Sequence, residues 1–189
     1  MEQYARSVTS SLSTTSYALL GLLVFDSETS ENGLTGYELK QRADRTLRFY
    51  WVSPATSQIY TELDRLSRHD FVDAIDDTTG KRTTRRFRIT AAGREALTTW
   101  LHTSKHEFPN LKHPIALRLM LGSLMGPGEV DAMLDGYVSA VADRRKELEA
   151  VREMLGDREA VAYPARVADW GLAYYDAEIE IVEKLRRTL

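Results

Sequence analysis

DFVDAIDDTTGKRTTRRFRITAAGREALTTWL, residues Asp70 to Leu101, is the stretch that decides the fold. Phe71 to Ile75 is a short apolar-rich run, Thr78-Thr79-Gly80 a turn, and the residues around Phe87 and Ile89 alternate with the period of a strand buried on one face. Thr90 then begins a helix whose inner side is Ala92, Ala96, Leu97, Trp100 and Leu101. The returning strand carries five cations, Lys81, Arg82, Arg85, Arg86 and Arg88, and no acid interrupts Thr78 to Arg94. Alternation sends Lys81 and Arg85 to one face and Arg82, Arg86 and Arg88 to the other. One set is expected to face a polyanion and the other to pair with acids such as Asp73 or Asp76. Cations on an edge strand also discourage strand pairing, but five within eight positions exceed that purpose. Asp76 and Asp77 lie close to the cationic track and oppose it.

Upstream, Thr14 to Phe25 is apolar on most of its surface, with Ser13 or Thr14 as cap, and reads as a core helix. The polar stretch DSETSENGL, beginning at Asp26 and including Glu31, is a loop. Thr35 caps a short second helix containing Tyr37, Leu39 and Ala43, and Arg45 to Val52 is a connection rich in aromatics. Ser53-Pro54 predicts the start of a third helix, with a hydroxyl at the cap and proline at the first helical position. That helix runs to about His69 with Ile59, Leu63 and Leu66 on its core face. Thr56, Ser57, Gln58 and Thr61 remain free to hydrogen-bond base edges or phosphates, and Tyr60 and Arg65 to reach phosphates. Three helices, a hairpin and a fourth helix, in that order, make a winged helix-turn-helix. Its third helix is the candidate recognition element, suited to a DNA major groove, and the basic wing, with Lys81, Arg82, Arg85, Arg86 and Arg88, is expected to meet phosphates.

The chain has 189 residues, 43% hydrophobic and 28% charged, and a formal net charge of −3. That average hides a division: residues 1–105 hold 14 Lys+Arg against 13 Asp+Glu, and residues 106–189 hold 11 against 15. A basic function therefore belongs to the N-terminal half. There are no cysteines, which excludes disulfides, thiolate metal sites and thiol nucleophiles. MEQYARSVTSSLSTTS lacks the basic start and apolar run of a signal peptide, and no apolar stretch approaches the ~18 residues of a membrane span. A cytoplasmic protein with no membrane partner is expected.

From Phe108 the character changes, and residues 12–105 and 108–189 are expected as separate domains. Pro109 and Pro114 bracket the junction, a helix spans about Ile115 to Met125, and Gly126-Pro127-Gly128 ends it. Glu129 to Leu155 carries a heptad at Val130, Leu134, Tyr137, Val141, Leu148, Val151 and Leu155, broken at Arg144. It is either the inner stripe of one chain's own helix or an intermolecular seam, and the seam is the expectation. The last helix, from Pro164 to Leu189, has two apolar stripes: Val167/Trp170/Tyr174/Ala177/Ile181/Leu185 and Leu172/Tyr175/Ile179/Val182. One stripe suffices to pack against the same chain, so the second implies another surface, most simply a second copy. The expected fold class is mainly α with a small β-hairpin, a winged helix-turn-helix followed by an α-helical dimerisation domain.

The segments TTSYALLGLLVF, LTGYELKQRA, FYWVSPATSQIYTELDRLSRHDFV and TGKRTTRRFRITAAGREALTTWL, in that order, resemble the PadR family of bacterial transcriptional regulators over residues 12–101. The distinctive parts are Gly36-Tyr37, Tyr50-Trp51 before helix three, Gln58-Ile59-Tyr60 with Leu63 and Leu66, and the wing exit Ile89-Thr90-x-x-Gly93. The resemblance implies a homodimeric winged-helix repressor on double-stranded DNA, dimerised by its C-terminal helices, with Tyr37 and Tyr60 near the DNA. The longer tail resembles the subfamily with a multi-helix C-terminal region. The loop Asp26–Glu31 is longer than the family's usual one, and Thr83-Thr84 stands where proline is common. Some relatives respond to small aromatic molecules, and Tyr137, Trp170, Tyr174 and Tyr175 are the rings here that can stack a planar effector, or else are simply interface core.

His102 and His106, four apart with Glu107 and His113 nearby, have ligand spacing but equally suit a polar helix end, so no metal or cofactor is expected. No glycine-rich phosphate loop follows a strand and no nucleophile elbow is present, so an enzyme is not expected. The competing reading is a protein–protein adaptor whose winged helix no longer binds DNA, which would have no reason to keep an acid-free cationic strand.

Overall fold

The first helix, α1, is Thr14–Ser27, and Ser13 Oγ accepts the Ser16 N–H at its start, 3.1 Å away. The computed structural model describes residues 12–27, 33–77, 84–105 and 112–189. The chain divides into two compact units, Met1–Glu107 and Phe108–Leu189.

In the first unit α1 is followed by β1 (Leu34–Thr35), α2 (Gly36–Thr46), a 3-10 turn (Leu47–Phe49), α3 (Thr56–Arg68), β2 (Val72–Asp77), β3 (Thr84–Ile89) and α4 (Ala91–Thr103). The sheet has three strands in the order β1-β3-β2, all antiparallel. The sequence predicts only the hairpin; a two-residue strand has no period to read, and β1 exists because Leu34 is buried opposite Phe87. Leu19, Leu20, Leu23, Leu39, Ile59, Leu63, Leu66 and Phe87 form a core with essentially no exposure. α1 is buried on so much of its surface because α2, α3, α4 and β3 all pack against it.

The start of α3 differs from the expectation. Its cap is Ala55, not Ser53. Ser53 is used elsewhere: its hydroxyl donates to Asp44 Oδ1 at 2.5 Å and accepts from Lys40 Nζ at 3.2 Å, while Pro54 is buried. Hydrogen bonds from Lys40 and Ser53 hold the Asp44 carboxyl below its ordinary range. At α4 the expected cap is present. Thr90 Oγ1 accepts the Gly93 N–H at 3.0 Å and donates to the Asp70 carbonyl at 2.8 Å, and the Thr90 N–H donates to the Phe71 carbonyl at 3.1 Å. Gly93 passes so close to Phe71 that a Cβ there would sit 2.2 Å from its carbonyl oxygen. The inner side of α4 is Gly93, Ala96, Leu97 and Trp100, the last stacked on Tyr17 at 4.6 Å. Ala92 and Leu101, expected on that side, are exposed.

The second unit holds α5 (Pro114–Met120), a 3-10 turn (Gly122–Leu124), α6 (Glu129–Leu155), a 3-10 turn (Glu159–Val161) and α7 (Ala162–Arg186). α5 stops five residues short of expectation, with glycine at 122 beginning the 3-10 turn. α6 and α7 form an antiparallel hairpin. Arg145 pairs with Asp176 at 2.6 Å, Arg152 with Asp169 at 2.7 Å and Arg186 with Asp135 at 2.8 Å, a constant register along its length. Exposed pairs of this kind contribute little energy but mark the alignment.

That hairpin gives part of the heptad a partner in the same chain. Leu134 and Leu148, each 1% exposed, and Val141 are covered within the chain, and Val130, Tyr137, Val151 and Leu155 are half-buried. The chain's own α7 supplies Ala165, Ala168, Gly171, Tyr175 and Val182, and a Cβ on Gly171 would meet Leu148 at 2.6 Å. Within the chain, then, Leu134, Val141 and Leu148 of the heptad already have α7 as a partner. A heptad in one helix states that a partner helix exists but not which chain owns it. The expected second stripe on α7 is present and uncovered: Trp170, Tyr174, Ile181 and Leu185 are 74%, 49%, 51% and 41% exposed.

Candidate nucleic-acid interface

Ile59, Leu63 and Leu66 fix α3 on the core, and the buried Glu62 fixes its roll. The Ser16 hydroxyl of α1 donates to Glu62, and Arg65 Nη1 lies 3.6 Å from the same carboxylate. The remaining surface holds Thr56, Ser57, Gln58, Tyr60 and Thr61, all exposed. At about 100° per residue, Ser57, Thr61, Asp64 and Arg68 fall on one stripe opposite the anchoring leucines. Gln58 lies on the flank with Nε2 3.5 Å from Thr15 Oγ1, and the Thr61 hydroxyl donates to the Ser57 carbonyl at 3.0 Å.

The start of α2 adjoins this surface. Thr35 and Glu38 form a reciprocal capping box: Thr35 Oγ1 accepts the Glu38 N–H at 3.1 Å and Glu38 accepts the Thr35 N–H at 2.8 Å. Gly36 then leaves room for the Tyr60 ring, which a Cβ at 36 would meet at 2.6 Å. The Gly36-Tyr37 and Gln58-Ile59-Tyr60 motifs therefore meet physically. Tyr37 is exposed, and its hydroxyl accepts from Gln41 Nε2 at 3.0 Å.

On the wing, Lys81, Arg82 and the Thr78-Thr79-Gly80 turn lie outside the described residues. Arg85 and Arg88 are exposed, and the strand register sets Arg85 opposite Asp76 and Arg88 opposite Asp73. Arg86 is engaged differently: Nη1 donates to the Gly33 carbonyl at 2.7 Å and to Glu38 Oε2 at 3.3 Å, bracing β3 to the start of α2. Burial pushes the Glu38 carboxyl up, but the Thr35 hydrogen bonds and the Arg86 charge outweigh it, leaving it below its ordinary value. Glu38, an acid in neither strand of the hairpin, is thus a partner of Arg86. Neither Glu38 nor Glu62 stands out in the sequence; only the S/T-x-x-E spacing from Thr35 marks the first.

The C-terminal candidates divide. His102 is exposed and His106 lies outside the described residues, among which no group of His, Cys, Asp or Glu is arranged for a metal. His113 instead caps α5. Its Nδ1 accepts the Ala116 N–H at 3.1 Å, which places the ring proton on Nε2, 2.6 Å from Glu178 Oε1. The Tyr137 hydroxyl donates to the same carboxylate at 2.9 Å; burial first, then that bond, pushes its pKa well up. Tyr175 is buried edge-on to Tyr174 at 5.9 Å, whereas Trp170 and Tyr174 stand on the exposed stripe. Of the four rings expected to share an effector site, Tyr137, Tyr174 and Tyr175 lie near one another around Glu178, and Trp170 and Tyr174 are open to solvent.

Residues 28–99 match the model of the transcriptional regulator PadR-like family. Among solved structures, Bacillus subtilis PadR in complex with operator DNA is similar over 94% of this chain and 99% of that one, with a TM-score of 0.79 and 19% identity. The same protein in complex with p-coumaric acid is similar over 89% and 94%, with a TM-score of 0.68 and 21% identity. The Vibrio cholerae virulence activator AphA is similar over 89% and 94%, with a TM-score of 0.64 and 17% identity. At these identities the likeness is one of fold. No curated protein matches the chain.

Proposed function

We propose that the chain, whose residues 28–99 match the model of the transcriptional regulator PadR-like family, is a homodimeric repressor occluding promoter DNA at a pseudo-palindromic operator. The observation that carries the reading is α3 itself. Its inner side is locked by Ile59, Leu63, Leu66 and the Ser16–Glu62 bond, while Thr56, Ser57, Gln58, Tyr60 and Thr61 are left exposed and polar. A helix so anchored presents a rigid face to base edges. Arg85, Arg88, Lys81 and Arg82 supply the sequence-independent attraction to phosphates. Tyr37 and Tyr60 border the same surface.

Two copies join through the exposed stripe of α7, Trp170, Tyr174, Ile181 and Leu185, rather than through the α6 heptad, and set half-sites about 34–36 Å apart or a multiple of that. Burying four such side chains is worth roughly 1.5–3 kcal/mol each before association costs. A planar aromatic effector releases the operator by favouring a dimer with a different wing separation, because a ligand shifts only the states it binds differentially. Trp170 and Tyr174, on that same stripe, are the rings open to it.

The test is to incubate the purified protein with fragmented genomic DNA and sequence what it retains. A recurring inverted repeat supports the reading. Retention of no DNA, with a stable complex to another protein instead, supports the adaptor.

A further inference from the structure

An open groove of about 490 Å³ separates the outer half of α3 from β3, lined by Asp64, Ser67, Arg68 and Arg85. Arg85 and Phe87 share a face of β3, with the Arg85 guanidinium 5.7 Å from the Phe87 ring. While Phe87 enters the core, Arg85, nearer the wing tip, borders the groove. Arg68 stands across from it on the stripe that carries Ser57 and Thr61, its Nε donating to the Asp64 carbonyl at 3.3 Å. Ser67 Oγ is buried and has no hydrogen-bond partner among the described residues. A hydroxyl kept there without a bond is unfavourable to the free protein. Two arginines and an unused donor in one groove have the chemistry of an oxyanion seat.

We propose that this groove holds one phosphodiester of the DNA backbone, with Arg68 and Arg85 contacting its oxygens and Ser67 Oγ donating to one of them. This rests on the DNA-binding reading and adds to it a fixed point between the helix and the wing, which sets how far α3 is rotated in the major groove. Arg68 and Arg85 are exposed side chains and reorient to let the phosphate reach Ser67. The Asp64 carboxylate borders the same groove and repels the phosphate, so it weakens the contact. Its removal therefore has the opposite sign to removal of the other three, which separates this seat from a general loss of folding.

The experiment measures affinity for a duplex of random sequence, so no operator is needed, across about 50 to 200 mM salt. Arg68→Ala should lower the salt slope by about one and weaken binding severalfold at low salt. Ser67→Ala should weaken binding about three- to tenfold while leaving the melting temperature equal or higher, since it removes an unsatisfied hydroxyl. Asp64→Asn should tighten binding. Unchanged affinity in Arg68→Ala and Ser67→Ala, with the parent protein binding the duplex normally, overturns the seat but leaves the regulator standing. Failure of the parent protein to bind any duplex overturns the DNA-binding reading itself. A loss in Ser67→Ala accompanied by a lower melting temperature means a structural serine and also overturns the proposal.

Discussion

Replacing Gly93 by alanine tests why the wing exit ends in Thr90-x-x-Gly93. The new Cβ would lie 2.2 Å from the Phe71 carbonyl oxygen and 3.0 Å from its carbon, and backbone cannot swing aside as a side chain does. Relief requires α4 to move by about 1 Å from the β2 entry, an overpacking cost of about 1–3 kcal/mol. That movement stretches the Thr90 N–H bond to the Phe71 carbonyl, now 3.1 Å, worth about 0.5–1.5 kcal/mol. It also loosens the Thr90 cap on residue 93, worth about 1 kcal/mol. Alanine returns at most about 1 kcal/mol of helix propensity. The net expectation is a loss of about 2–3 kcal/mol, or a fall in melting temperature of about 10 °C or more for a unit of this size. Urea unfolding followed by tryptophan fluorescence reads it, because one of the three tryptophans, Trp100, stacks on Tyr17 across α1 and α4. Gly21→Ala is the control: nothing lies within 4 Å of its Cβ position, so it should gain up to about 1 kcal/mol. A Gly93→Ala protein as stable as the parent would refute the close-approach argument.

Arg85→Ala should lower the salt slope of DNA binding by about one without changing stability. Arg86→Ala should also cost about 1 kcal/mol of stability, because the bonds to Gly33 and Glu38 are lost; equal melting curves for the two would contradict that division. In the C-terminal unit, Leu148→Ala should destabilise by about 2–5 kcal/mol, whereas Trp170→Glu should leave the helices intact and shift sedimentation to the monomer. A Trp170→Glu protein that remains dimeric would exclude the α7 stripe. Because Glu38 titrates below its ordinary 4.5, its contribution is present above that pH and is lost as pH falls through the lowered value. The stability difference between parent and Glu38→Gln, measured by urea midpoint, should therefore shrink on acidification and not on alkalinisation.

The winged-helix order was legible in the sequence because each element carries its own local signal. Thr35 and Thr90 cap the helices they were expected to cap, and the spacing of Ile59, Leu63 and Leu66 identified the buried side of α3. The alternation around Phe87 identified β3, and the cationic run beside it is a property of composition alone. What only the tertiary structure decided depends on residues distant in sequence. β1 exists through its pairing with β3, and Ser53 left the cap of α3 because Asp44 and Lys40 were near enough to bind it. Arg86 pairs with Glu38, which is 48 residues away in sequence. The heptad on α6 announced a partner helix, but a stripe records only its own apolar face. That α7 of the same chain covers it was decided by the antiparallel turn at Gly156, where φ is +61°, and by the small Gly171 that lets Leu148 in.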